Sequence, residues 1–133
     1  MSQPTEEILA APSFAVVGAS RSPEKYGYLV YRALKQAGKT VYAVNPQAKE
    51  IDGDPAYPTL AALPTIPEAA VMIVPPPVTE AAVAECAQMG IKRVWMQPGA
   101  ESEEAVAACR ANNIMVVASG PCLLVMLRTQ GYL

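Results

Sequence analysis

The stretch FAVVGASRSPEKYGYLVYRAL, residues 14–34, contains the pattern that decides the fold. Its apolar start, residues 14–17, is typical of a buried strand that ends at Gly18. A polar loop follows, and apolar residues then recur at helical spacing from about Tyr26 to Ala37, where Gly38 is the predicted stop. Strand, glycine turn and helix in this order are how a nucleotide-binding loop begins.

Four further apolar runs repeat the strand pattern, at residues 40–46, 69–77, 92–99 and 113–120. They are rich in Val, Ile or Met and do not alternate strictly, which is typical of strands buried on both faces. Helical patterns lie between most of them. The alternation predicts an α/β fold, a Rossmann-like doubly wound parallel sheet of about five strands between two helical layers.

The helix boundaries are predicted from capping residues. Thr79 is the expected N-cap of a helix that runs to about residue 89, and Ser102 or Glu101 starts the next, which ends near Asn112. The tail PCLLVMLR predicts a short closing helix. Residues 47–68 carry four prolines and are predicted as a loop with one short turn at residues 59–63.

Composition limits the functions that this chain can have. The 133 residues carry a net charge of −2 without a basic run, which argues against nucleic-acid binding. No apolar run reaches the roughly 18–20 residues that span a bilayer, and the N-terminus lacks the basic region of a signal peptide. We expect one domain over residues 1–133, with its core at about 12–128 and residues 1–11 as an N-terminal extension.

Cysteine and histidine content adds to these limits. Three cysteines without a C-x-x-C pair predict reduced thiols and a cytoplasmic location. Histidine is absent, which removes the commonest general base and a common metal ligand. No catalytic residue and no metal site is therefore predicted.

Ligands of a parallel doubly wound sheet bind beyond the carboxyl ends of its strands. Every predicted strand here ends in Gly, Pro or small polar residues. At the first of these ends, Gly18 allows a close backbone approach, while Ser20, Arg21 and Lys25 offer donors and positive charge for a phosphate or diphosphate. The spacing is neither G-x-G-x-x-G nor that of a P-loop.

The second strand ends in Asn45-Pro46-Gln47, where an NAD site usually has a carboxylate. Lys49 stands nearby and suits a ribose phosphate, which NADP and coenzyme A both carry, or is an ordinary solvated charge. The third strand ends in a proline run, residues 75–77, which offers flat apolar surface to an adenine or a pantetheine arm.

Taken together, these segments resemble those of the stand-alone coenzyme A-binding domain proteins, relatives of the CoA-binding domain of the succinyl-CoA synthetase α subunit. The matching pieces are AVVGASRSPEKYGY, VYAVNPQAKEIDGDPAYPTLAALP, IVPPPVTEAAVAECAQMGIKRVWMQPGAESEEA and GPC, which together cover roughly residues 12–122. The resemblance implies a Rossmann-type fold that binds CoA along the strand ends.

The resemblance also implies where each part of CoA lies. The turn of residues 18–21 would hold the diphosphate, Asn45, Pro46 and Lys49 the adenosine end, and Val74 to Pro76 the adenine, while residues 97–99 would border the inner crevice. The complete set of candidate binding residues is Gly18, Ala19, Ser20, Arg21, Lys25, Tyr26, Asn45, Pro46, Lys49, Val74, Pro75, Pro76, Thr79, Gln97, Pro98 and Gly99.

Ligase chemistry by this chain alone is not expected, because the synthetases use a histidine in a further domain and this chain has none. The leading hypothesis is a protein that binds CoA or acyl-CoA as a carrier, a sensor or the partner of an enzyme on another chain. The alternatives are an NAD(P)-dependent oxidoreductase and a regulatory module without nucleotide. Cys122 is either a thiol for a mixed disulfide with CoA or a small buried residue, and the apolar tail is either core or a dimer contact.

Overall fold

The computed structural model describes residues 3–133, which form five helices, seven strands and one 3₁₀ turn at Leu60–Ala62. The helices are α1 (Pro4–Leu9), α2 (Tyr26–Gln36), α3 (Pro76–Met89), α4 (Glu103–Ala111) and α5 (Leu123–Thr129). The strands are β1 (Ser13–Val17), β2 (Thr40–Val44), β3 (Glu50–Ile51), β4 (Asp54–Tyr57), β5 (Ala69–Met72), β6 (Arg93–Met96) and β7 (Met115–Val117).

All seven strands belong to one sheet in the order β3-β4-β2-β1-β5-β6-β7. Every neighbouring pair is parallel except β3 and β4. At the centre, Val17 of β1 lies opposite Val44 of β2 and Met72 of β5, so these strands end level with one another. The doubly wound parallel sheet and its five predicted strands are confirmed.

The prediction of a loop over residues 47–68 is wrong in part, because β3 and β4 form a hairpin at the edge of the sheet. Its turn is Asp52-Gly53, and both residues have positive φ, 54° and 80°. Asp-Gly is the sequence that two-residue hairpin turns favour, because both positions need the left-handed conformation. The predicted turn at residues 59–63 is confirmed as the 3₁₀ turn.

Two apolar clusters cover the two faces of the sheet, as the three-layer prediction requires. Phe14 and Val16 of β1 pack with residues of α1, α2 and α5, while Ala15 and Val17 pack with residues of α3 and α4. Helix α1 contributes Ile8 and Leu9, both fully buried. Residues 3–11 of the N-terminal extension are therefore packed against the core. Along residues 3–133, no helix has the length and apolar character to cross a membrane.

The capping predictions have different outcomes. Ser102 caps α4, since its hydroxyl accepts a hydrogen bond of 3.0 Å from the amide of Ala105. The prediction for Thr79 is wrong, because α3 begins at Pro76 and Pro75 is its N-cap. Proline suits the first turn of a helix, where its missing N–H leaves no bond unmade.

Candidate functional site

Three adjoining cavities follow the carboxyl ends of the strands, and we call them together the crevice. The large cavity, of about 690 Å³, lies between the end of β2 and helix α3. The middle cavity, of about 430 Å³, lies between the ends of β5 and β6 and shares Val74 and Pro75 with the large one. The end cavity, of about 140 Å³, shares Ile73, Gln97 and Pro98 with the middle one.

The large cavity contains many of the predicted residues: Gly18, Lys25, Asn45, Pro46, Val74 and Pro75 all line it. Its opposite wall was not predicted. Leu60 begins the 3₁₀ turn and Thr59 precedes it, while Val78, Ala81 and Glu85 come from α3. The α3 residues recur at the i, i+3, i+7 spacing of one helix face, which is the signal in the sequence that could have identified them.

Gly18 and Gly27 hold the first strand end and α2 in close contact. Gly18 has φ +98°, and a Cβ there would lie 2.2 Å from the carbonyl oxygen of Ile73. A Cβ on Gly27 would lie 2.1 Å from the carbonyl oxygen of Gly18. Both distances are far below van der Waals contact, so each position requires glycine for backbone packing. This is a different reason from the ligand approach that the sequence suggested for Gly18.

Asn45 connects the first two strand ends through its side-chain amide. Its Nδ2 donates to the carbonyl of Ala19 at 2.8 Å, and its Oδ1 accepts from the amide of Gln47 at 2.8 Å. The side chain therefore fixes the shape of the large cavity, which its own residue also lines. Ser20 likewise supports its own loop, since its Oγ accepts from the amide of Ser22 at 3.1 Å.

The N-terminus of α2 is positive and uncapped. Lys25 stands at the N-cap position, makes no side-chain capping bond, and is followed by a first turn without acidic residues. Arg21 and Lys25 are exposed, and neither takes part in an ion pair within residues 3–133. The free N–H groups and the helix dipole attract anions to such an end, and the two cations add to that attraction.

Gln97 connects the end of β6 to helix α5. Its side chain is only 4% exposed, its Oε1 accepts from the amide of Leu123 at 2.7 Å, and its Nε2 lies 3.4 Å from Sγ of Cys122. Gly99 and Pro98, also predicted, line the middle cavity, and the amide of Gly99 donates to Glu101 Oε1 at 3.1 Å. Pro76 lines the same cavity.

Tyr26 and Cys122 both line the end cavity, together with Ile73, Gln97 and Pro98. Cys122 is half-buried, whereas Cys86 and Cys109 are fully buried in the core, as predicted. Burial raises the pKa of the Cys86 thiol to about 12 and that of Cys109 to about 11. Both core thiols are therefore protonated and unreactive at neutral pH.

Five of the predicted residues line none of the three cavities: Ala19, Ser20, Arg21, Lys49 and Thr79. Thr79 is fully buried, and its hydroxyl lies 3.5 Å from the carbonyl oxygens of Val74 and Pro75. Lys49 is exposed, and its carbonyl accepts from Ala56 in the β3–β4 region. Arg21 is exposed in the loop beside the crevice.

The topology and the crevice at the carboxyl edge define the class of Rossmann-like α/β domains. Residues 12–128 match the family described as CoA binding domain, and the chain belongs to this family.

The relatives include much longer proteins. An ADP-forming acetate–CoA ligase of Archaeoglobus fulgidus is 31% identical over 94% of this chain, and the alpha subunit of acetate–CoA ligase II of Pyrococcus furiosus is 37% identical over 60% of it. These alignments cover 19% and 18% of the two relatives, so the chain spans about a fifth of their length.

Solved structures of both small and longer proteins superimpose on this chain. A hypothetical protein from Pyrococcus horikoshii superimposes with a TM-score of 0.89 at 30% identity, over 94% of this chain and 88% of that one. An acetyl-coenzyme A synthetase of Candidatus Korarchaeum cryptofilum superimposes with a TM-score of 0.73 at 30% identity, over 84% of this chain but 27% of that one. The fold thus occurs both as a small protein and as part of a larger chain.

Proposed function

We propose that this chain binds coenzyme A or an acyl-CoA in the crevice. The observation that carries the proposal is the continuity of the three cavities along one edge of the sheet, beside an uncapped and positive helix end. CoA is a long molecule with a nucleoside at one end, a diphosphate, and a pantetheine arm with a thiol at the other. A row of connected cavities with a cationic flank matches that shape and charge.

The dimensions and walls of the cavities support this fit. The large cavity falls within the roughly 300–1,000 Å³ range of small-molecule sites, and its walls include Val44, Leu60 and Val78. Apolar walls of this kind suit an adenine ring. Lys25 and the N-terminal amides of α2 suit the diphosphate, and the proline surface of the middle cavity suits the pantetheine arm.

We propose that the chain does not catalyse a reaction alone. Its relatives named as acetate–CoA ligases are about five times longer, and this chain has no histidine. A separate protein that receives or delivers the bound thioester is the expected partner. The cysteine pattern supports a cytoplasmic location. That the chain forms a homo-oligomer remains a prediction.

A binding experiment tests the proposal directly. The melting temperature of the chain should rise with CoA and acetyl-CoA concentration according to RT ln(1 + [L]/Kd). NAD should give a smaller shift, because the residue after β2 is Asn45 and not the carboxylate that grips a ribose diol. NADP should also give a smaller shift, because it has no pantetheine arm to occupy the middle and end cavities. Stabilisation by NADP and not by CoA would overturn the proposal in favour of an oxidoreductase. A chain that responds to none of the four would instead be a module without nucleotide.

A matched pair of variants locates the site. Ala81→Trp places a large ring in the wall of the large cavity, whereas Ala84→Trp places it at an exposed position of the same helix that does not line the crevice. We expect the first variant to lose the CoA-dependent shift and the second to keep it. Equal responses of the two variants would contradict binding in the large cavity.

A further inference from the structure

We propose that the end cavity receives the acyl group of a short-chain acyl-CoA and excludes long acyl chains. This inference rests on the proposed function and specifies the class of thioester. The end cavity shares three lining residues with the middle cavity and none with the large one. It is too small for a nucleoside, which leaves the thiol end of CoA as the part that reaches it.

Volume sets the limit on the acyl group. The cavity measures about 140 Å³, and an apolar protein cavity of about 150 Å³ holds one benzene, or about six heavy atoms. A thioester carbonyl with two to four carbon atoms is within that limit. An octanoyl chain exceeds this volume, so its outer carbon atoms would have to lie outside the cavity, where they gain less apolar burial.

The walls suit a thioester chemically. Ile73, Pro98 and the ring of Tyr26 give apolar contact for a short alkyl group. Gln97 supplies a buried polar group whose orientation is fixed, because its Oε1 is occupied by the amide of Leu123 at 2.7 Å. Its Nε2 is therefore on the side of Cys122, and both residues line the cavity.

A ligand oxygen would improve the bonding of Gln97. The partner of its Nε2 in the structure is Sγ of Cys122 at 3.4 Å, and a thiol sulfur is a weak acceptor. The amide nitrogen carries two N–H groups, and a thioester carbonyl is a better acceptor than the sulfur for either of them. Gln97 is thus placed to orient the acyl carbonyl, while the cavity volume selects chain length.

Calorimetric titration with a series of thioesters tests the inference. Acetyl-CoA and butyryl-CoA should bind within about threefold of CoA, and octanoyl-CoA should bind at least about tenfold more weakly than acetyl-CoA. Equal affinity for octanoyl-CoA and acetyl-CoA would overturn the inference and leave the proposed function intact. Failure of CoA itself to bind would overturn both.

A cavity-filling variant tests the location. Cys122→Met adds bulk to the end cavity, and we expect it to weaken acetyl-CoA binding about tenfold while the affinity for adenosine 3′,5′-bisphosphate, which lacks the pantetheine arm, stays unchanged. The bisphosphate also reports that the variant is folded. Val125→Met, at an exposed position of α5, the helix that Cys122 precedes, should change neither affinity. Unchanged acetyl-CoA binding by Cys122→Met would refute the assignment of the acyl group to this cavity.

Discussion

The two ends of helix α2 use charge in opposite ways. Near its C-terminus, Lys35 Nζ lies 3.1 Å from Asp52 and 2.6 Å from Asp54 of the β3–β4 hairpin, and the hydroxyl of Tyr31 donates to Asp54 at 2.7 Å. Near its N-terminus, Arg21 and Lys25 of the β1–α2 loop, residues 18–25, form no ion pair within residues 3–133.

The difference separates charges that stabilise the fold from charges available to a ligand. In the hairpin, Asp52 and Asp54 each have a cation of α2 as partner, and these pairs fasten the hairpin to α2. In the loop, the side-chain hydrogen bonds to the backbone involve neutral residues, Ser20 and Asn45. The cations are therefore not needed for the loop's own structure, which is the condition for using them to bind an anion.

The largest expected effect concerns the packing beneath the loop. Gly27→Ala would put a Cβ 2.1 Å from the carbonyl oxygen of Gly18, and forced overpacking of this kind costs about 3 kcal/mol. Urea unfolding should show that loss as a lower midpoint. CoA binding should weaken as well, because the loop and α2 can no longer approach each other.

Gly38→Ala is the control for this substitution. Gly38 has φ +84°, but a Cβ there would meet no atom within 4 Å, so only the left-handed backbone strain of about 1 kcal/mol applies. A Gly27 variant no less stable than the Gly38 variant would contradict the packing role of Gly27.

The next largest effect tests the free cations of the loop. Replacing both Arg21 and Lys25 by Gln should weaken CoA binding about 30-fold, or about 2 kcal/mol, with little change in unfolding midpoint. Added salt should weaken binding to the original chain more than to the variant. Lys92→Gln, an exposed site before β6 and hence at the opposite end of the strands, should bind CoA normally. An equal loss of CoA affinity in the double variant and in Lys92→Gln would show that the net charge of the chain, and not the position of the two loop cations, determines CoA binding.

The fold was predictable where burial alone decides the residue types. Five parallel strands are continuous apolar runs because they are covered on both faces. The hairpin was missed because the prolines of residues 47–68 dominate its composition, although Asp52-Gly53 carried the turn signal. The start of α3 was misplaced at Thr79, and the preference of proline for the first helical turn would have placed it at Pro76.

The candidate site was predictable only at the strand ends. Gly18, Asn45, Pro75 and Gln97 each follow an apolar run, and parallel topology brings such positions to one edge. The wall formed by the 3₁₀ turn and α3 depends on a tertiary contact in which the amide of Ala61 donates to Glu85 at 3.3 Å. The i, i+3, i+7 spacing marks one face of α3, but nothing local in the sequence indicates that the 3₁₀ turn contacts this helix.

A smaller effect is expected for chemical labelling of Cys122 at the end cavity. Cys122 is half-buried beside the end cavity, while Cys86 and Cys109 are fully buried with a raised pKa. Iodoacetamide should therefore label Cys122 in the folded chain. CoA at ten times its Kd should slow the labelling about tenfold, and adenosine 3′,5′-bisphosphate should not.

Peptide mass spectrometry measures both rates. If Cys86 and Cys109 were labelled as fast as Cys122, their burial in the core would be contradicted. A rate that CoA leaves unchanged would place the thiol end outside this cavity.

The smallest effect concerns the paired charges of the hairpin. Hydrogen bonds from Lys35 and Tyr31 lower the pKa of Asp54 below its ordinary 3.8, so its ionised form stabilises the folded state above that value and the contribution is lost as the pH falls through the lowered pKa. Asp54→Asn should cost about 1 kcal/mol at pH 7, and urea unfolding should show the difference from the original chain shrinking below about pH 4. Glu68→Gln, at an exposed carboxylate outside the hairpin, should show no such trend.

CoA affinity should be the same with and without the Asp54→Asn substitution, because the ion pair of Lys35 and Asp54 stabilises the fold and does not line the crevice. A loss of CoA affinity would mean that the two ends of α2 are coupled through the helix.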